Sequence, residues 1–205
     1  MIVPGTFDTS ARELIHAGLQ NLDEARSLFR QLSASGFDAA RCGLLLDALQ
    51  HVCDPDVALR NLVDIVNAQV SQGRALDDIM PDDTAFRQLV AVLGVSDAMG
   101  KLMRFRPDLV QAAATDHCNS HLYNHDQRRS HVLESVGADP NDRMSPTATM
   151  DLADAATALR RTYRNQLAAI IAQDTMSDDP IALQPRISSE LSDLADAALE
   201  GALAI

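Results

Sequence analysis

Tryptophan is absent from this 205-residue chain, and aromatic residues of all kinds make up only 3% of it. A stacking platform for single-stranded nucleic acid needs rings for successive bases, and this composition argues against one. Positive charge is also scarce: 17 Lys and Arg against 29 Asp and Glu leave a formal charge of -12. Binding to DNA, RNA or an anionic membrane by a broad basic field is thereby disfavoured. No run approaches the roughly 18 consecutive apolar residues of a spanning helix. The opening "MIVPGTFDTSARELIHAG" lacks a basic segment followed by an apolar one. We therefore expect no nucleic-acid partner, no membrane partner and a cytoplasmic location. Cys42, Cys53 and Cys118 are odd in number and show no Cys-x-x-Cys spacing, which fits reduced thiols. Long β-branched alternating runs are missing too, so no strand is drawn.

Helix punctuation is abundant. A hydrophobic share of 46% with 22% charged residues suits a globular chain with an aliphatic core. In "DPDVALRNLVDIVNAQVSQG", Asp54 can cap, Pro55 fits the first helical position, and Gly73 supplies a stop. Leu59, Leu62, Val63, Val66 and Val70 then share one face. Similar patterns predict helices over about 8–20, 22–33, 39–52, 84–93 and 96–105, separated by Gly36, Gly94 and Pro107. "DQRRSHVLESVGADPNDRMSP" predicts one short helix ending at Gly137, then a turn-rich linker through Pro140 and Pro146. Two long periodic runs follow. One has a stripe of Ala156, Leu159, Tyr163, Leu167 and Ile170. The other, after a break at Pro180 and Pro185, has Ile187, Leu191, Leu194, Ala198 and Ala202. The predicted fold class is all-α: a multi-helix bundle with short loops and no sheet. Its expected organisation is a helical bundle over 1–113, a connecting segment with one short helix over 114–146, and a long helical pair over 147–205.

Candidate chemistry is sparse. Gly100-Lys101 looks like the start of a phosphate loop, but such loops need a strand delivering glycines to a helix N-terminus. Here the pair lies inside a helical run, so a glycine at a close helix contact and an exposed lysine account for it. "HCNSHLYNHDQRRSH" holds His117, His121, His125 and His131. On one helix His117, His121 and His125 would line a face, as metal ligands can. No carboxylate joins that face, and a polar connector is the plainer outcome. His125-Asp126 resembles the signature pair of HD phosphohydrolases over those two residues alone. Asp77-Asp78, Asp82-Asp83, Asp178-Asp179 and Asp54-x-Asp56 read as caps and loop solvation. No Ser or Cys sits in a Gly-flanked elbow. From the residues alone, this is a helical module with no visible active site.

The second half carries a family resemblance. "ALRRTYRNQLAAIIAQD" matches a Leu-Arg-x-x-x-Arg then Leu-x-x-Ile-x-x-x-Asp pattern through Leu159, Arg160, Arg164, Leu167, Ile170 and Asp174. "SSELSDLADAALEGAL" matches Leu-Ser-x-Leu-Ala-Asp through Leu191 to Asp196. Together they resemble the helical segment just upstream of the first catalytic domain in the glutamine synthetase adenylyltransferase/adenylyl-removing enzymes. "ELIHAGLQNLDEARSLFRQL", "DPDVALRNLVDIV" and "RQLVAVLGVSDAMGKLMRFRPDLV" are similar to earlier helices of that family, so the resemblance covers nearly the whole chain.

The family's adenylyl-removing site needs a Gly-x-Gly-Lys-x-Gly motif and a Ser-Asp-x-Asp metal-binding pair downstream of the Leu-Ala-Asp helix. Neither occurs here. The resemblance implies the N-terminal helical region of such an enzyme, an expressed fragment or truncated product that is catalytically silent by itself. It implies no cofactor in this chain, and a parent that uses ATP and magnesium, acts on glutamine synthetase and responds to PII. Arg160 and Arg164, one turn apart, with Asp174 near the helix end, are expected to contact the downstream nucleotidyltransferase domain. Two other readings stay open at this point: a stand-alone all-α interaction module, and a helical metallohydrolase built on His117, His121, His125 and Asp126.

Overall fold

A computed structural model describes residues 9–80, 82–114, 123–177 and 179–205, without the side chains of residues 78 and 79. In chain order its helices are α1 (Ala11–His16), α2 (Leu22–Ala34), α3 (Ala39–Leu49), α4 (Pro55–Ser71), α5 (Leu76–Ile79), α6 (Asp83–Val95), α7 (Asp97–Met103), α8 (Pro107–Ala114), α9 (His125–Ser135), α10 (Leu152–Thr175) and α11 (Pro180–Ala204). No strand occurs among the described residues, and the all-α expectation holds. Short polar side chains start most of these helices. Ser10, Asn21, Asp38, Asp54, Asp82, Ser96, Asn124 and Asp179 each accept a backbone N–H from the first turn, satisfying donors that have no partner within the helix. Among the described residues, no helix is long and apolar enough to cross a membrane.

The chain divides into two units, Met1–Asp116 and His117–Ile205. In the first, α4 packs on α6, with α2 on α4, α3 and α7 on both, and α8 on α6 and α7. Leu59, Leu62, Ile65 and Val66 of α4 and Leu89, Val90, Val92 and Leu93 of α6 are buried. Burial almost all round α6 marks it as the unit's central helix.

Two sequence-predicted breaks in this unit belong instead to helices. Gly94 lies in the last turn of α6, where an added Cβ would stand 2.9 Å from Val52 Cβ. The glycine serves a close approach rather than a stop. Pro107 opens α8, a helix that periodicity missed; proline suits the first helical position because its absent N–H is not needed there.

In the second unit, α9 and α10 both pack on α11. One apolar cluster joins Leu133, Val136, Ala138, Ala155 and Ala204, and a second joins Ile170, Ile187 and Leu194. The segment expected over 114–146, a connector with one short helix, contributes α9 and a pinned loop to this unit through its described residues from 123 onward. Gly137 turns the chain at φ 77°. Beyond it, Thr149 N donates to Gly137 O at 3.2 Å and Ala148 N to Ala204 O at 2.8 Å.

The expected break at Pro185 does not occur, because α11 runs through it. Its ring removes the bond that the Ile181 carbonyl would otherwise accept, one turn from a helix start where the strain is least. The buried stripe of α11 also differs from the expected one. It is Ile187, Glu190, Leu194, Ala197, Gly201 and Ala204, while Leu191 is exposed. On α10, Tyr163 of the expected stripe stays partly exposed, and Gln166 and Gln173 are buried.

Candidate functional site

Gly100 sits on α7 against α4. An added Cβ there would come within 2.8 Å of Asn61 Cβ. Asn61 is itself buried, and its Nδ2 donates to Leu93 O of α6 at 3.3 Å. The glycine therefore permits three helices to meet. Lys101 points outward and pairs with Asp97 at 2.6 Å along α7. The pair lies inside α7 with no strand before it, so it lacks the geometry of a phosphate loop.

Within the His-rich stretch, His117, Cys118 and His121 lie outside the described residues. His125 opens α9, and its Nδ1 is 3.1 Å from Asp193 Oδ1 on α11. His131 packs its ring 5.2 Å from that of Tyr123, and Asp126 is exposed. The two described histidines thus face different partners. Among the described residues, no group of three or more His, Cys, Asp or Glu is placed to hold a metal ion.

Five members of the acidic pairs do structural work, while Asp178 and the side chain of Asp78 lie outside the described residues. Asp54, Asp82 and Asp179 cap helices. Asp56 accepts Gln20 N at 3.0 Å and Asn21 N at 3.3 Å, tying the α1–α2 turn to the start of α4. Asp77 pairs with Arg41, beside a cavity of about 130 Å³ lined by Phe37, Leu44, Met80 and Phe86. A pocket for a small organic ligand spans about 300–1,000 Å³, so this one is too small for a nucleotide. Cys42 is buried, and desolvation pushes its thiol up, with the nearby Asp38 charge adding to the rise. Such a thiol is a poor nucleophile.

The residues singled out by resemblance all lie on α10. Arg160 and Asp174 are exposed and Arg164 is half-buried. Arg160 and Arg164 sit one turn apart on one side of the helix. Asp174 is ten residues beyond Arg164, about 15 Å along the axis. The helix thus brings the two arginines together and leaves the carboxylate distant. None of the three has an ion pair or hydrogen bond to another described side chain.

Residues that sequence reasoning passed over form the strongest polar constellation. Arg128 of α9 is only 1% exposed. Its Nη1 donates to Gln166 Oε1 of α10 at 2.8 Å, and its Nη2 pairs with Glu190 of α11. Arg186 adds a second cation 3.5 Å from Glu190. Next to it, Arg129 grips Glu200 through Nε at 2.8 and 3.0 Å and donates to the carbonyls of Pro140 at 2.6 Å and Asp142 at 3.1 Å. The Asp142 carboxyl is held below its usual range by the N–H groups of Ser145 and Met144, and Arg129 adds a smaller pull.

These two arginines clamp α9 to α10, to α11 and to the loop after it. Both Nη atoms of Arg128 and three nitrogens of Arg129 are matched to acceptors within the unit, while Arg128 Nε and Gln166 Nε2 are buried without a partner among the described residues; the cluster positions the three helices. One sequence signal was available. Glu190 falls three residues after Ile187 and four before Leu194, a charge on the apolar stripe that only an internal partner explains.

No protein-family model matches the chain, and no solved structure matches it. Curated relatives do. Over 199 residues the chain is 64% identical to a bifunctional glutamine synthetase adenylyltransferase/adenylyl-removing enzyme of Bifidobacterium longum strain DJO10A, covering 97% of this chain and 18% of the relative. The enzyme of the same name from Bifidobacterium longum subsp. infantis is 63% identical over the same shares. A more distant one from Streptomyces avermitilis is 29% identical over 210 residues, covering 100% of this chain and 18% of the relative. The resemblance read from the sequence therefore extends along the chain, which spans less than a fifth of the length of these relatives.

Proposed function

We propose that this chain, which shares its sequence with one stretch of the bifunctional glutamine synthetase adenylyltransferase/adenylyl-removing enzymes, is the non-catalytic N-terminal helical part of such an enzyme. The observation that carries this reading is the 64% identity sustained over 97% of the chain. The enzyme as a whole adenylylates and deadenylylates glutamine synthetase in the control of nitrogen assimilation. It uses ATP and magnesium, responds to PII and works in the cytoplasm. The 205 residues supply a helical scaffold for the nucleotidyltransferase domain that follows. The described residues support a scaffold role, because their charged side chains cap helices, form ion pairs and clamp α9. Arg160 and Arg164, on one side of α10, meet the following domain, with Asp174 making a separate contact further along.

The test is biochemical. The purified chain, given adenylylated glutamine synthetase, magnesium and phosphate, is expected to release no AMP, whereas the product of the complete reading frame releases it. Phosphorolysis by the clean chain, abolished by a substitution within it, would falsify the scaffold reading. A reading frame with no Gly-x-Gly-Lys-x-Gly or Ser-Asp-x-Asp motif downstream would remove the parent enzyme.

A further inference from the structure

Helix α11 has two unlike faces. Ile187, Leu194, Ala197, Gly201 and Ala204 turn into the second unit, together with Glu190 and its arginine partners. At 100° per residue, Leu191, Ala195, Leu199 and Leu203 form a four-residue ridge on the other face, flanked by Ser188 and Ser192. The leucines of this ridge are 42%, 65% and 87% exposed in that order. No charged residue lies within the ridge; Asp193, Asp196 and Glu200 all fall to one side of it. In a chain with 22% charged residues, a long uncharged leucine face on a rigidly docked helix marks a contact surface.

From this face, and resting on the function proposed above, we infer that the Leu191–Leu203 ridge of α11 is the seat for an uncharged helix from the part of the enzyme outside this chain. The relatives provide the occupant, since 18% coverage leaves more than four-fifths of their length beyond the matched stretch. The geometry specifies its form. A ridge of side chains four apart packs into the matching groove of another helix at a crossing angle near -50°, a common arrangement in globular proteins. A second copy of this chain fits less well. Antiparallel pairing across a two-fold axis sets the acidic border of one ridge against the same border of the other, and each copy carries -12.

Thiol labelling reads the seat directly. Leu199→Cys and Leu203→Cys are placed separately in this chain and in the complete gene product. Both sites are exposed, so neither substitution disturbs the fold. Each protein is treated with N-ethylmaleimide, and modification is followed by peptide mass spectrometry, normalised to the denatured protein. Fast labelling in the short chain and at least about tenfold slower labelling at both sites in the complete product are expected, an occlusion that local opening would have to relieve. Equal rates in the two proteins overturn the seat. Slowing in the short chain that grows with its concentration, alongside a dimer in sedimentation, overturns it in favour of a second copy. Deadenylylation by the same complete product is scored independently. Its absence counts against the parent enzyme, whereas activity with unprotected thiols counts against the seat alone. A reading frame that stops at Ile205 overturns both.

Discussion

The two units hold their helices by different means. In the first, α6 is buried nearly all round by aliphatic neighbours, and small residues allow close approach, Gly94 to the α3–α4 turn and Gly100 to α4. In the second, the apolar clusters are smaller, and α9 is keyed onto α10 and α11 by Arg128, Arg129, Glu190 and Glu200. An apolar interface tolerates sliding, because any well-packed register removes similar area from water. A buried arginine paired to one carboxylate tolerates almost none, since a shift of one residue leaves two charges unpaired. The interhelix ion pairs of the first unit are exposed, so it is specified mainly by shape, and the second by shape plus buried charge.

Breaking the charge key should have the largest effect. Arg128→Ala leaves Glu190 without its main partner in a buried site, and a loss of about 3–5 kcal/mol is expected. Chemical denaturation should show this as an earlier transition. The double substitution Arg128→Met with Glu190→Leu removes both charges and is expected to recover most of that loss. A double variant as unstable as the single one would show that α9 is held by something other than the pair. Arg129→Ala, whose partners are partly solvated, is expected to cost less, about 1–3 kcal/mol.

This contrast also explains what the sequence made legible. Periodicity finds helices that bury an apolar face, and it found α4, α6, α10 and α11 because each has one. It placed the α11 stripe on Leu191 and Ala198 because leucine outranks glutamate on any hydrophobic scale. The structure turns Glu190 inward because Arg128 waits there. Helix α9 has few apolar residues, so "DQRRSHVLES" is predicted only as one short helix within a connecting segment, although Val132 and Leu133 are wholly buried. The candidate site was legible in another way. Arg160, Arg164 and Asp174 came from a family pattern, and the structure separates the arginine pair from the aspartate because ten helical residues lie between them.

Three glycines differ in the room they leave for a side chain, and effects of intermediate size are expected there. An added Cβ at Gly100 meets Asn61, and one at Gly201 meets Val132 at 2.7 Å and Leu159 at 3.0 Å; at Gly43 it meets nothing within 4 Å. Gly100→Ala and Gly201→Ala are expected to destabilise by about 1–3 kcal/mol through overpacking. Gly43→Ala, in the interior of α3, is expected to stabilise by about 0.5–1 kcal/mol by lowering backbone entropy in the unfolded chain. Thermal melts of the three variants decide it. A neutral Gly201→Ala would mean that α9 and α10 sit less tightly on α11 than the geometry shows.

The smallest effect is expected at Arg160 and Arg164, and its smallness is informative. The first is exposed and the second half-buried, and neither pairs with a described carboxylate. Arg160→Ala and Arg164→Ala should therefore change this chain's stability by less than about 1 kcal/mol each. Arg128, 1% exposed and held by Gln166 and Glu190, is the contrasting case of an arginine whose partners are internal. If the downstream domain is the partner of the α10 pair, the same substitutions in the complete enzyme should cost about 2–5 kcal/mol at the domain junction, or slow deadenylylation to match. The comparison between the two proteins isolates the junction, since the fold of the helical part is common to both. Silence in the complete enzyme would leave Arg160 and Arg164 as solvated surface residues.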